Sequence, residues 1–189
     1  MDKEILEILK KTGAFMEGHF LLTSGRHSNI YIEKFRLMES PYYLDKICNK
    51  MAEQFKNYKI DLVLGAATGG ILLSLGVAKY LSTKGIFAER LESKMLLRRG
   101  FEIKENFNVL IVEDIVSTGG SIFELIEIVK MNKANVSGIT SIVDRNHVDT
   151  KFNSEYKPLI RYPVQSWSSD SIPGWLKKVP LTKRGRSGK

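Results

Sequence analysis

The sequence predicts an α/β protein with a doubly wound parallel sheet, a small N-terminal hood and a C-terminal extension. Short, uninterrupted apolar runs alternate along the chain with segments of helical spacing, as in strands covered on both faces by helices. Loops rich in glycine and hydroxyl residues follow two of those runs directly, at 66–70 and 114–121, and a third run ends in Asp144-Arg145. Ligands of open parallel sheets sit at the carboxyl ends of the strands, and these segments fall there. With 189 residues the chain is read as one domain over 1–165, its hood at about 1–40, followed by a basic extension at 166–189.

The elements follow in order. A first helix is expected at 2–12, where Ile5, Leu6, Ile8 and Leu9 are apolar. HFLLTSGRHSNIYIEKF then reads as two strands around the turn Ser24-Gly25-Arg26. Ser40 as N-cap and Pro41 at the first helical position open a helix that runs to about Phe55. Residues 61–65 form a strand, 66–70 a loop and 71–81 a helix, with a short strand at 86–89. The stretch 90–108 is charged and poorly periodic, an exposed loop or hairpin. A buried strand begins at Val109, the spacing of Ile122, Leu125, Ile126 and Val129 is helical, and 136–144 is another strand.

The most informative segment is VLIVEDIVSTGGS, residues 109–121. Four apolar residues run into two adjacent carboxylates, Glu113 and Asp114, and then into Ser117-Thr118-Gly119-Gly120-Ser121 and a helix start. A strand, a small-residue loop and a helix N-terminus make an anion cradle. Glycine lets the backbone approach, unpaired amides point at the anion, and the helix dipole favours negative charge. Carboxylates repel phosphate, so the acids require a different partner; the vicinal hydroxyls of a sugar satisfy them, directly or with Mg²⁺ nearby. A ribose 5-phosphate group fits the whole motif. The plainer alternative is a surface turn between a strand and a helix. No GxxxxGK[ST] occurs, which argues against Walker-type nucleotide binding. Gly65-Ala-Ala-Thr-Gly-Gly70 repeats the strand–loop–helix device and reads as a second cradle, or as a tight turn that is glycine-rich for packing alone.

Composition narrows the class further. The single Cys48 excludes an intramolecular disulfide and a cysteine-rich zinc site, and suggests a reducing compartment. MDKEILEILKK lacks the layout of a signal peptide, and the uncharged stretch 62–78 carries four glycines, so a soluble, cytoplasmic protein is expected, with no membrane partner. Net charge is +8, but Lys177, Lys178, Lys183, Arg184, Arg186 and Lys189 supply six of these charges; subtracting them leaves +2 for 1–176. Nucleic acid is therefore not among the expected partners. His19, His27 and His147 are scattered and form no metal set.

Residues 109–121 closely resemble the 5-phosphoribosyl 1-pyrophosphate (PRPP) motif of type I phosphoribosyltransferases, and 12–147 as a whole resemble the orotate phosphoribosyltransferases. The resemblance implies that Glu113 and Asp114 hold the ribose hydroxyls. It also implies that Ile115, Val116, Ser117, Thr118, Gly119, Gly120 and Ser121 surround the 5-phosphate. The loop containing Thr68 and Gly69 would take the pyrophosphate; orotate enzymes often carry a lysine at the position of Gly69, and this chain does not. LLTSGRHSNIYIEK is similar to the base-binding segment of the same family and places Tyr31 and Ile32 by orotate. Ser117 corresponds to a threonine that touches orotate, and Arg145 in Ser-Ile-Val-Asp-Arg to an arginine that contacts it. The alternatives are a buried tyrosine in a hairpin, and a surface arginine paired with Asp144 or Asp149.

Arg90 and Lys94 match the cations of a mobile lid that closes over PRPP, often onto a neighbouring subunit, which implies a homodimer. The usual glycine-rich lid is replaced by a shorter LRRGF, so Arg98 and Arg99 are left unassigned, and a solvated charged hairpin is the alternative. The tail distantly resembles an extension bearing a CPxC pair, but Ser171 and Gly174 stand in the cysteine positions and no metal knuckle is possible. The implied reaction joins orotate to PRPP, giving orotidine 5′-monophosphate and pyrophosphate in pyrimidine synthesis. Asp114, Arg90 and Lys94 would act on the reacting centre, and Mg²⁺ would be held mainly by substrate. A purine-base transferase and a PRPP-sensing regulator of the same fold are the competing readings.

Overall fold

The computed structural model describes residues 3–148 and 150–183. Its centre is a six-stranded sheet. The chain forms β3 (Leu62–Ala66), β4 (Lys84–Leu91), β5 (Lys94–Leu97), β6 (Asn108–Val116), β7 (Asn135–Asp144) and β8 (Tyr156–Arg161), ordered β5-β4-β3-β6-β7-β8. Only β5 runs antiparallel, as the return arm of a hairpin with β4. Residues 90–108 are thus a hairpin followed by a loop.

Strand alternation sorts the apolar residues into two cores. Val63, Leu110 and Val112 face one way, against α1 (Lys3–Lys11), α2 (Lys34–Met38), α3 (Pro41–Glu53) and α4 (Gly69–Leu81). Leu62, Leu64, Val109 and Ile111 face the other way, against Ile122, Leu125, Ile126 and Val129 of α5 (Gly120–Met131). Each strand is therefore apolar on both faces, which is why it reads as an unbroken hydrophobic run. Helices on both faces make the sheet doubly wound.

Several boundaries move. α4 starts at Gly69, two residues before the expected 71, because the 66–70 loop already turns into the helix. Ser40 is the N-cap of α3 in backbone position, but its side chain makes no capping bond. Both α2 and β8 are absent from the sequence reading. α2 has only five residues, too few to show a period. β8 contains Pro158, which a ladder tolerates at a sheet edge, and β8 is the edge strand beside β7.

The hood is a second sheet. β1 (Phe15–Leu21) and β2 (His27–Ile32) form the expected antiparallel hairpin. The C-terminal extension returns to it: β9 (Leu181–Lys183) adds in parallel to β1, pairing His19 with Leu181 and Leu21 with Lys183. His27 and Trp167 exchange both backbone hydrogen bonds at 2.8 Å, and His19 sits between Val179 O (Nδ1, 3.1 Å) and His27 (Nε2 to Nδ1, 2.8 Å). Trp167 and Trp175 meet edge to face, their centroids 6.0 Å apart. Arg184, Arg186 and Lys189 of the basic tail lie outside the described residues.

Candidate functional site

The site forms where β6 ends. Its apolar run must stop at the sheet rim, and Glu113 and Asp114 lie near the carboxyl end of the strand, Glu113 beside Ser141 of β7 and just past the last pairing with β3 at Val112. Both acids are buried, at 7% and 4% exposure, an expensive position for two neighbouring carboxylates. Local bonds hold them: the Asp114 N–H donates to Glu113 Oε1 at 3.0 Å, and the Ile115 N–H to Asp114 Oδ1 at 2.6 Å. Burial, reinforced by the charge of Asp114, pushes the Glu113 carboxyl up to about 8.

After Val116 the chain turns through Ser117–Gly119 into α5. Gly119 is the N-cap and stands at φ +77°, where side chains are strained. A Cβ there would also lie 2.7 Å from the ring of Phe152, which backs the loop together with Phe123. The N-cap has no side chain, so α5 opens with backbone N–H groups facing the loop, of which that of Gly120 reaches Thr118 Oγ1 at a long 3.5 Å. A cavity of about 70 Å³ results, lined by Glu113 and the run Ile115 to Ile122. That is far below the roughly 300–1,000 Å³ of small-molecule pockets and suits a phosphate-sized anion.

The second small-residue loop arrives from β3. Its Ala67–Thr68 peptide is cis, and Thr68 caps α4 by backbone position alone. Gly69 abuts the acid pair so closely that a Cβ would sit 1.8 Å from Asp114 Oδ2. Thr68 and Gly69 thus share one rim with Glu113 and Asp114.

On the other side lies Arg145. Its N–H donates to Val116 O at 2.8 Å, which ties the end of β7 to the loop after β6. The guanidinium is largely buried, its Nε has no hydrogen-bond partner, and burial pulls its pKa below the ordinary arginine value. Asp144 forms its ion pair with Arg161 at 3.6 Å instead, and Asp149 lies outside the described residues. Tyr31 faces Arg145 electrostatically and stacks near Phe20, whereas Ile32 packs into the core at 6% exposure. A larger cavity of about 400 Å³ opens beside them, between Asn29 and Ile30 of β2 and Tyr162, Pro163 and Gln165 after β8.

The lid candidates stand apart from this cluster. Arg90 is held by both oxygens of Glu124 on α5 and by Ser93 O at 2.7 Å. Lys94 is exposed opposite Leu91 at the hairpin turn and does not line the cradle. Arg98 and Arg99 both pair with Glu89, at 3.4 and 3.0 Å. Sequence reasoning missed Lys34, whose Nζ lies 2.6 Å from Asp114 Oδ2. It also missed Phe152 behind Gly119, and Tyr156, whose hydroxyl meets Ser141 Oγ at 2.7 Å next to the acids. Lys34 belongs to the segment whose Tyr31 and Ile32 drew attention, but one lysine just past a strand carries no signal for a partner eighty residues away.

The arrangement can therefore hold an anion, a pair of sugar hydroxyls and a carboxylate at neighbouring places on the sheet rim. Residues 40–158 match the family model for a phosphoribosyl transferase domain. An orotate phosphoribosyltransferase of Thermoanaerobacter sp. (strain X514) is 44% identical over 183 residues, spanning 97% of this chain and 96% of that protein. One from Thermotoga maritima is 42% identical over 97% of this chain and 98% of its own length. Among solved structures, an orotate phosphoribosyltransferase from Aeropyrum pernix superposes with a TM-score of 0.67 at 26% identity, covering 83% of this chain and 93% of that one.

Proposed function

The chain belongs to the orotate phosphoribosyltransferases of the phosphoribosyl transferase domain family, and from that premise we propose how its own residues carry the reaction. The substrates are orotate and PRPP; the products are orotidine 5′-monophosphate and pyrophosphate. Orotate N1, deprotonated, attacks the anomeric carbon, and the bond from that carbon to pyrophosphate oxygen breaks with its electron pair leaving on pyrophosphate. Positive charge grows on the ribose and negative charge on the leaving group, so the protein's task is positioning and electrostatics.

Ser117 to Ser121 hold the 5-phosphate, Glu113 and Asp114 accept from the ribose hydroxyls beneath the developing cation, and the loop with Thr68 and Gly69 takes the pyrophosphate. Arg145 receives the orotate carboxylate, flanked by Tyr31 and Ser117. The buried, unpartnered Nε of Arg145 at the rim of the cradle is the observation that carries this reading. A neutral purine offers such a guanidinium no carboxylate, which places the purine alternative behind. Ile32, packed in the core, would contribute through its backbone.

Mg²⁺ would arrive with PRPP, since a hard cation prefers oxygen ligands and the acid pair Glu113 and Asp114 favours positive charge nearby, and it would supply neutralisation of the leaving group's charge. Arg90 and Lys94 would act after the β4–β5 hairpin moves, because Arg90 is tied to Glu124 in the present arrangement. A homodimer whose partner receives that hairpin fits this reading, with Phe35 of α2 and Leu72 and Leu75 of α4 as exposed apolar residues available to its interface. Among the described residues no helix is long and apolar enough to cross a membrane, and the cytoplasm is the compartment this metabolism implies.

The test is a base panel. With PRPP and Mg²⁺, pyrophosphate release is expected with orotate and not with adenine or uracil; release with adenine alone would reverse the assignment. A pH profile adds a second check. Glu113 is raised to about 8, so its neutral form is favoured by folding, and stability falls as pH rises from the ordinary carboxylate range through about 8. Ribose hydroxyls require the charged form. The kcat/KM for PRPP should therefore climb toward pH 8 and lose that limb in Glu113→Gln.

A further inference from the structure

We propose that Lys34 is a substrate-binding residue for the pyrophosphate end of PRPP, and that its pairing with Asp114 is a resting contact that PRPP exchanges. This rests on the reading above. Lys34 is the first residue of α2 and follows β2 after a single residue, so the hood strand that presents Tyr31 also delivers an ammonium group to the ribose acids. Its Nζ stands 2.6 Å from Asp114 Oδ2, and this buried oxygen has no hydrogen-bond partner, so the contact is an ion pair. No other ion pair to Glu113 or Asp114 is present among the described residues.

The location assigns the ligand. Gly69 presses on the same Oδ2 from the 65–70 loop, so Lys34 reaches the boundary between the ribose acids and the pyrophosphate cradle. Position 69, lacking a side chain, brings no cation of its own. The 5-phosphate cradle lies further along, lined by Ile115 to Ile122, and Lys34 is not part of its wall. When a ribose binds, its hydroxyls donate to the carboxylates and replace the ammonium there. The displaced charge then adjoins pyrophosphate, the strongest anion in the site. One ion pair is exchanged for another, and no buried charge is left alone. Lysine suits this exchange: a compact charge on a flexible stem follows its partner over a short distance. As the leaving group gains charge the contact strengthens, so Lys34 contributes to turnover as well as to binding.

The test uses the full chain with Lys34→Met and Lys34→Arg. Binding of PRPP, inorganic pyrophosphate and ribose 5-phosphate, each with Mg²⁺, is measured by calorimetry, alongside steady-state kinetics and thermal melting. Lys34→Met should weaken PRPP and pyrophosphate roughly 10- to 100-fold, the size of one charge-assisted contact. Ribose 5-phosphate affinity should not fall, the KM for orotate should not rise, and Lys34→Arg should recover most of the loss. Equal losses for pyrophosphate and ribose 5-phosphate, or no loss for either, would overturn the assignment. Should the methionine variant fail to fold, Lys34→Gln keeps length and polarity and gives the same comparison. Failure of the wild type to bind PRPP at all would instead remove the transferase reading, and the proposal with it.

Discussion

Arg145→Ala is expected to remove orotate use while leaving PRPP binding intact. The guanidinium is largely buried at the end of β7, its backbone N–H is fixed to Val116 O, and its Nε lacks a partner. Binding an anion there turns a desolvated, poorly satisfied cation into half of a charge-assisted pair. Truncating one partner of such a pair costs about 3–4 kcal/mol, or roughly 10²- to 10³-fold in kcat/KM for orotate. The backbone bond to Val116 survives the substitution, so the 5-phosphate loop should keep its shape. PRPP affinity by calorimetry is the control, and melting should show little change, since an uncompensated buried charge is being removed. A parallel fall in PRPP affinity would mean that Arg145 props the loop and does not read the base.

Asp114→Asn should be the most damaging isosteric change in the molecule. The carboxylate lies at the meeting point of three elements: β6 carries it, Gly69 of the second loop leaves no room beside it, and Lys34 of the hood pairs with it. An amide of the same size preserves packing but removes the negative charge beneath the cationic ribose. It also risks turning an N–H donor toward the Lys34 ammonium. Loss of one preorganised electrostatic group costs roughly 10²- to 10³-fold in kcat, and here the ground-state hydrogen bond to ribose is lost as well. Glu113 should respond in the opposite sense, because its raised pKa owes its second-largest contribution to the charge of Asp114. With that charge gone, the acid limb of the pH profile should move to lower pH in the residual activity.

The sheet and the first cradle were legible in the sequence because their physics is local. A strand buried on both faces must be apolar throughout, as at 109–112, and a turn that brings backbone to an anion must be small, as at 117–121. Both signals fit inside thirteen residues. Arg145 was visible for the same reason, a cation placed directly at a strand end. What stayed hidden depends on long-range geometry. Lys34 and Asp114 meet only because the hood folds over the sheet rim, and Phe152 matters only because it stands behind Gly119. β8 was obscured by Pro158, and the docking of β9 on β1 joins the two ends of the chain. Arg90 shows the converse limit: its charge was evident, but its engagement with Glu124 across to α5 was not.

The most direct single measurement is the loss of orotate ultraviolet absorbance on mixing the protein with orotate, PRPP and Mg²⁺, run beside Asp114→Asn. A rapid loss with the native chain and almost none with the variant is the expected result, and it joins substrate, reaction and ribose site in one observation. Unchanged absorbance with the native chain while PRPP still binds would contradict the account.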